Sequence, residues 1–493
     1  MSVKIAVSAF AHRSARRRHA LELCAYSAGL VALLVLVAFW IVAQMLPAAP
    51  IAWPSSMRLA PAVPIPWSPA ALADVFSLCL VGFGLLVLVP AQVAATLAAE
   101  RRSGTLDQLR STPLSPLGLL CGLVVGAPVR VYLLCLGPLL FHVGCGLCGV
   151  IPLDTLAATL VVLATGTIAS TLLAAIIALA PRQETGGAFV ALTVAGSLGL
   201  AGMIGFSFAL DTVSVHWAFL DPAGALNAAM LAHDGLWRHL FVSAWSLDRF
   251  HDASYLDAMM LAPLGATLLA LGGSVLLARA ACRKLAQPHL PLFSKPQAVA
   301  LFALVAASLM VPVGSDGASQ FRELPLVLGL FLLPVAGALA TFSTPSFEAW
   351  ALALRRGRRP RSWQDDASAL GATSAMALSY LALLVLKLDG FPSQLDGSQI
   401  VALGWAIAVT LCLPLFALFA ATHFRTQAAR AAFAVAISAH LLLQLIAIGM
   451  VNSPPFGPGE QMWIELGAAA GVLVPAWIFY RQRVLVRRTL AGA

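Results

Sequence analysis

Apolar runs of about 20 residues recur along the whole chain, which is the length that a helix needs to cross a bilayer. Inside hydrocarbon, each backbone N–H and C=O must be paired within its own segment or within a closed barrel. The runs are continuous rather than alternating, so they favour helices over barrel strands. Charged residues make up 10% of the 493 residues and hydrophobic residues 60%, whereas soluble domains carry about 25% charged residues. We therefore predict an all-α polytopic membrane protein without a soluble domain.

Hydropathy divides the chain into about 12 transmembrane helices in two halves of six. The predicted spans are residues 22–46, 70–98, 118–148, 155–180, 186–208, 258–281, 298–313, 324–342, 370–388, 398–421, 431–450 and 462–480.

The distribution of Lys and Arg predicts on which side of the membrane each loop lies. Of the 30 Lys and Arg residues, 24 fall in the two tails and in the loops of one side, 5 fall on the other side, and Arg130 lies within a predicted span. Because cytoplasmic loops carry the excess of positive charge, both termini are predicted to be cytoplasmic. The net charge of +9 then reflects membrane topology, and nucleic acid is not an expected partner.

Residues 285–297 form a basic, Pro-containing cytoplasmic link between a first half, 1–284, and a second half, 298–493. In each half the loop between the second and third spans is rich in charge, at 99–117 and 343–369. This arrangement predicts a two-fold topological repeat about an axis along the membrane normal.

The loop at residues 100–115 reads Glu-Arg-Arg-Ser-Gly-Thr-Leu-Asp-Gln-Leu-Arg-Ser-Thr-Pro-Leu-Ser. We expect a helix that is interrupted at Gly104, followed by a short helix that stops before Pro113. Leu106 and Leu109 share one face of the short helix, while its charged side chains lie on another. The pattern predicts a surface helix that can dock on a soluble partner.

This loop resembles the signature of permeases in type-2 ATP-binding-cassette (ABC) exporters, Glu-Arg-x-x-Gly-Thr-Leu-Asp-x-Leu-x-x-Thr-Pro-Leu-Ser. In that family the loop joins the second and third of six spans and includes the coupling helix that contacts the ATPase subunit. Residues 1–284 are similar to the family layout throughout. The resemblance implies that the residues coupled to the ATPase are Glu100, Arg101, Gly104, Thr105, Leu106, Asp107, Leu109, Thr112, Pro113 and Leu114.

The resemblance implies a permease subunit of an exporter in a bacterial cell (inner) membrane. The low charge of the predicted spans favours a hydrophobic or amphipathic substrate over a small ion. The chain contains no Gly-x-x-x-x-Gly-Lys-Ser/Thr phosphate-binding loop, so ATP hydrolysis is expected in a separate partner chain and not in this one. A second permease copy is a further candidate partner, and no cofactor is expected. The second half carries Thr344–Trp350 in the corresponding place without Gly-Thr-Leu-Asp, so whether it contacts an ATPase stays open.

Two weaker patterns lie in the third predicted span. Arg130 is a charged residue within a span. Its side chain is expected either to reach the lipid headgroups or to form an ion pair, or else to line a translocation path. His142, Cys145 and Cys148 carry metal-ligand chemistry, but at successive i+3 steps they spread over about 120° of a helix. Glycines lie between them, so we expect close helix packing and no metal.

Two other classes of protein stay as alternatives, a secondary transporter and a membrane-embedded enzyme. Both generally need carboxylates or acidic and His pairs within the spans. The inner halves of the predicted spans show no acidic or His pair, and the carboxylates lie almost all in loops or at span ends. Both observations favour the ATP-driven permease.

Overall fold

The computed structural model describes residues 17–45, 69–111, 114–179, 253–288, 290–310 and 370–387, with isolated positions at 7–8, 11, 225–226, 336, 339, 343, 403–404, 407, 477, 481 and 484. The chain divides into two compact units, Met1–Ala286 and Gln287–Ala493. The boundary between the units falls within the predicted link. The predicted spans at 186–208, 398–421, 431–450 and 462–480, most of 324–342 and the loop 343–369 lie outside the described ranges.

The described part of the first unit is built from helices. They are α1 (Arg17–Met45), α2 (Pro69–Phe83), α3 (Val89–Arg102), α4 (Thr105–Ser111), α5 (Pro116–Cys121), α6 (Val129–Leu147), α7 (Leu153–Leu179) and α8 (Ala253–Ala286). A π-helical turn, Gly84–Leu88, joins α2 to α3, so that Pro69–Arg102 is one long helix.

Five of the described helices are long and apolar enough to cross a membrane: Ala20–Val42, Pro69–Arg102, Val129–Leu147, Leu153–Leu179 and Pro263–Ala286. Four of these helices agree with predicted spans of the first half to within five residues at each end, and Val129–Leu147 lies within the predicted span 118–148. This architecture is that expected of an α-helical protein embedded in a membrane.

The third predicted span, 118–148, is wrong as a single helix. It is divided into α5, a π-helical turn at Gly122–Gly126, and α6. Pro128 marks the division at φ −88° and ψ 19°, outside the helical region. Proline lacks the N–H that would continue the ladder, and its ring clashes with the preceding turn. Only Val129–Leu147 is long enough to span a membrane.

A second proline in this region is accommodated by neighbouring helices. Pro138 lies inside α6 and leaves the carbonyl of Leu134 without its usual donor. The hydroxyl of Ser27 on α1 donates to that carbonyl at 2.8 Å and accepts from the Gly137 N–H at 2.8 Å. Ser77 on α2 donates to the Pro138 carbonyl at 2.8 Å. Hydrogen bonds at Pro138 and at the Leu134 carbonyl thus fix α1 and α2 against α6.

The helices α6 and α7 pack closely where they are joined. A methyl group on Gly146 would overlap the side chain of Leu156, so glycine is required for this contact. Gly149 ends α6 at φ +75°, and the N–H of Val150 donates to the Cys145 carbonyl at 2.9 Å. This is a Schellman-type helix end, which places a left-handed glycine just after the last turn. The close packing predicted for these glycines is observed at Gly146.

In the second unit, α9 (Lys295–Met310) and α10 (Leu370–Lys387) pack against each other. A capping box begins α9, because the Ser294 N–H donates to the Gln297 side chain at 3.0 Å and the Gln297 N–H donates to Ser294 Oγ at 3.4 Å. The helix therefore begins where the predicted link ends.

Candidate functional site

The motif at residues 100–115 forms a sharp elbow between α3 and α4. Ser103 caps α3, and its N–H donates to the Ala99 carbonyl at 3.0 Å. Gly104 follows at φ +73°, a left-handed conformation that residues with a Cβ rarely adopt. The Asp107 N–H then donates to the Gly104 carbonyl at 3.2 Å and begins the next helix. An interruption of the helix was predicted at Gly104, and the backbone turns there from α3 into α4.

Thr105 ties the two sides of the elbow together. Its hydroxyl lies within hydrogen-bonding distance of both the backbone carbonyl, at 3.1 Å, and the carboxylate of Glu100. It also contacts the hydroxyl of Ser103 at 2.8 Å. Glu100, Gly104 and Thr105 therefore act as one unit that sets the angle between α3 and α4.

The two leucines of α4 have different environments. Leu106 is 2% exposed and packs inside the first unit, so it anchors the elbow to its own bundle. Leu109 is half-buried, and Asp107, Gln108 and Ser111 are exposed. The surface that α4 offers to a partner is therefore a polar face with Leu109 at its edge, rather than the pair of leucines expected from the spacing.

Basic side chains from three elements surround the elbow. Arg101, Arg110 and Arg283 are the charged groups that act on Lys284 near the end of α8. Arg101 reaches the Ala178 carbonyl at 3.5 Å, near the C-terminal end of α7, where the helix dipole favours a cation. Arg110 pairs with Asp107 at 2.6 Å. Cations outnumber carboxylates here, so the elbow presents a positively charged surface.

The remaining predicted residues are placed as follows. Leu114 is half-buried just before α5, while Thr112 and Pro113 lie outside the described residues. Arg130 is exposed in the first turn of α6 and is not enclosed by the described helices of its own unit.

A buried polar cluster that the sequence patterns did not predict lies at the opposite end of the same bundle. Asp74 on α2, His142 on α6 and Thr159 on α7 are 1%, 0% and 0% exposed. His142 Nδ1 lies 2.9 Å from Asp74 Oδ1, and its Nε2 lies 3.0 Å from Thr159 Oγ1. The cluster therefore joins three helices through one imidazole ring.

Nothing in the local sequence indicates this cluster, because His142 and Asp74 are 68 positions apart. The one available signal was a carboxylate inside a predicted span, since such residues are rare in spans without a partner. Cys145 lies beside Asp74, and Cys148 is exposed. Within the described residues no group of three His, Cys, Asp or Glu side chains could hold a metal ion.

No family model, no curated protein and no solved structure matches this chain.

Proposed function

We propose that this chain is the membrane-spanning permease subunit of an ATP-driven exporter, with the elbow at residues 100–111 as the docking site for a separate ATPase. The substrate is a hydrophobic or amphipathic molecule, because the predicted spans carry few charges. The observation that carries the proposal is the geometry of the elbow, in which a rigid turn joins a membrane-length helix to a short surface helix.

The length of Pro69–Arg102 supports a mechanical role. Its 34 residues extend about 50 Å at 1.5 Å per residue, whereas the hydrocarbon core is about 30 Å thick. The charged end at Glu100–Arg102 therefore reaches beyond the hydrocarbon. Because Gly104 and the Glu100–Thr105 contact fix the turn, a push on α4 would be transmitted to the whole length of α2 and α3.

The charge of the elbow indicates what kind of surface binds there. Arg101, Arg110, Arg283 and Lys284 favour a groove lined by carboxylates. The exposed polar face of α4 and the half-buried Leu109 fit a groove with an apolar floor and an acidic rim.

The proposal is tested by co-purification from native membranes after cross-linking, with identification of any ABC ATPase recovered. In Leu109→Asp, a carboxylate replaces an apolar contact at a cost of about 1–3 kcal/mol, so we expect capture to fall roughly tenfold to a hundredfold. Gln108→Trp adds bulk to an exposed position and should reduce capture without disturbing the packing of the free chain.

The matched control is Leu147→Asp. Leu147 is 74% exposed and lies at the end of α6 that is remote from the elbow. It should leave capture unchanged at equal membrane abundance. Recovery of no ATPase with the wild-type chain, or unchanged capture by both elbow variants, would remove the basis of the proposal.

Secondary transport is the second candidate, and the buried Asp74–His142 pair favours it. Such transporters use intramembrane acidic and His groups to bind coupling protons. Transport by the purified chain in proteoliposomes without any ATPase, driven by a pH gradient alone, would identify this second class.

A further inference from the structure

One face of α8 is apolar and exposed over the depth of a single membrane leaflet. Leu264, Leu268, Leu271 and Val275 are between 49% and 59% exposed. Their spacing of three or four residues places them in one stripe along the helix. At 1.5 Å per residue the stripe is about 16 Å long, which is half of a hydrocarbon core about 30 Å thick. The helix therefore offers one leaflet a continuous apolar surface.

Two arginines continue this stripe toward the C-terminal end of α8. Arg279 follows Val275 by about one turn, and Arg283 follows Arg279 by another. Arg279 is exposed and Arg283 is half-buried. Side chains at i and i+4 are neighbours on a helix surface, and two guanidinium groups can donate to the oxygens of one phosphate. The exposed face of α8 thus changes from apolar to basic within one turn.

The two arginines lie at the depth of the lipid headgroups. The span predicted for this helix ends at residue 281, between Arg279 and Arg283. An Arg side chain near the end of a span leaves its methylene groups in the hydrocarbon and extends its guanidinium group to the headgroups. Between Pro263 and Ala286 the helix carries no Asp or Glu. An anionic headgroup is therefore a source of negative charge that the membrane itself provides for this face.

The charged groups of the neighbouring elements keep this end of the bundle positive. Glu100 contacts Thr105, and Asp107 pairs with Arg110. In the part of the chain that the structure describes, basic residues outnumber these two carboxylates at the ends of α3, α4 and α8; the basic residues are Arg101, Arg102, Arg110, Arg279, Arg283 and Lys284. The carboxylates cannot balance this charge, so the surface attracts anions.

We infer that this face of α8 binds an anionic phospholipid, with the phosphate between Arg279 and Arg283 and an acyl chain along the stripe from Leu264 to Val275. A soluble phosphate compound would use only the arginines. A zwitterionic lipid carries a cation beside its phosphate and would gain less from them. A basic site that continues into an apolar stripe fits a molecule with both a negative headgroup and a long chain. The inference does not depend on the docking of an ATPase, because the stripe belongs to α8 and not to α4.

The test is native mass spectrometry of the full chain in detergent micelles, with dioleoyl phosphatidylglycerol added at increasing concentration. Dioleoyl phosphatidylcholine has the same chains and no net charge, and it should bind more weakly. Arg279→Gln should lower the affinity for phosphatidylglycerol about fivefold, the contribution of one basic residue near a membrane surface. Arg279 is exposed, so this substitution should leave the packing intact. Arg279→Lys keeps the charge and should retain most of the affinity.

The matched control is Arg102→Gln, which should leave lipid binding unchanged. Arg102 is an exposed arginine at the end of α3 and donates to the Ala98 carbonyl at 3.3 Å. Unchanged binding in Arg279→Gln, or equal affinity for the two lipids, would overturn the inference. Equal losses in Arg279→Gln and Arg102→Gln would also overturn it, because they would indicate attraction by surface charge in general. Displacement of the lipid by glycerol 3-phosphate would identify a site for soluble phosphates instead.

Discussion

Near the two ends of the helix Pro69–Arg102, pairs of ionisable side chains lie in opposite environments. At the elbow, Asp107 is 79% exposed and pairs with Arg110 at 2.6 Å in contact with water. At the other end, Asp74 and His142 are almost completely buried at 2.9 Å. Water reaches the first pair through the exposed Asp107, so this carboxylate can lose its partner at little cost. Water does not reach the second pair, so each partner depends on the other for its hydrogen bond.

The difference indicates what each end is suited to do. Exposed charges that are weakly coupled to the fold can be used for contact with a partner, because the bundle does not need them. Buried groups that complete each other's hydrogen bonds hold helices together, because each of them would otherwise be a buried polar group without a partner. The elbow is therefore suited to contact with a partner, and the buried cluster is suited to holding three helices together.

The largest effect is expected for His142→Ala. It leaves the Asp74 carboxylate buried without its partner, and removing one member of a buried pair costs about 3–5 kcal/mol. SDS-driven unfolding measures the loss. The double variant Asp74→Ala/His142→Ala should cost less than the sum of the two single variants, because each single variant leaves an unpaired polar group. Additive losses would show that the two side chains are not coupled.

An intermediate effect is expected for Gly104→Ala. A methyl group at this position meets nothing within 4 Å, so its cost comes only from the φ of +73° and should be about 1–2 kcal/mol. Because the elbow is on the surface, we expect a change in its angle and a lower capture of the ATPase rather than loss of the bundle. Gly104→Asn is the control, since Asn tolerates the left-handed region better. Equal losses for Ala and Asn would contradict a purely conformational role.

The smallest effect is expected for Asp107→Asn. The exposed ion pair with Arg110 contributes about 0.2–1 kcal/mol, and less at high salt. Unfolding in low and high salt measures this contribution. A loss as large as that of His142→Ala would remove the distinction between the two ends of the helix.

Sequence patterns located most of the described helices of the first half, because the length and apolarity of a span are local properties. The break of the third span was missed, since Pro128 stands in an otherwise continuous apolar run and its effect depends on backbone geometry. The elbow was located by its motif, but the burial of Leu106 was not predicted. Periodicity shows that Leu106 and Leu109 share a face, and it does not show whether the bundle or a partner covers each of them.

By itself the sequence determined that the chain is helical and apolar, where four of the five described helices long enough to cross a membrane lie, and where the helix turns at Gly104. These properties follow from backbone hydrogen bonding and from the conformational range of glycine, which act within a few residues. Only the tertiary structure decided that Asp74 meets His142 and Thr159. Helices that are distant in sequence bring these side chains together, and their hydrogen bonds depend on the mutual position of three helices.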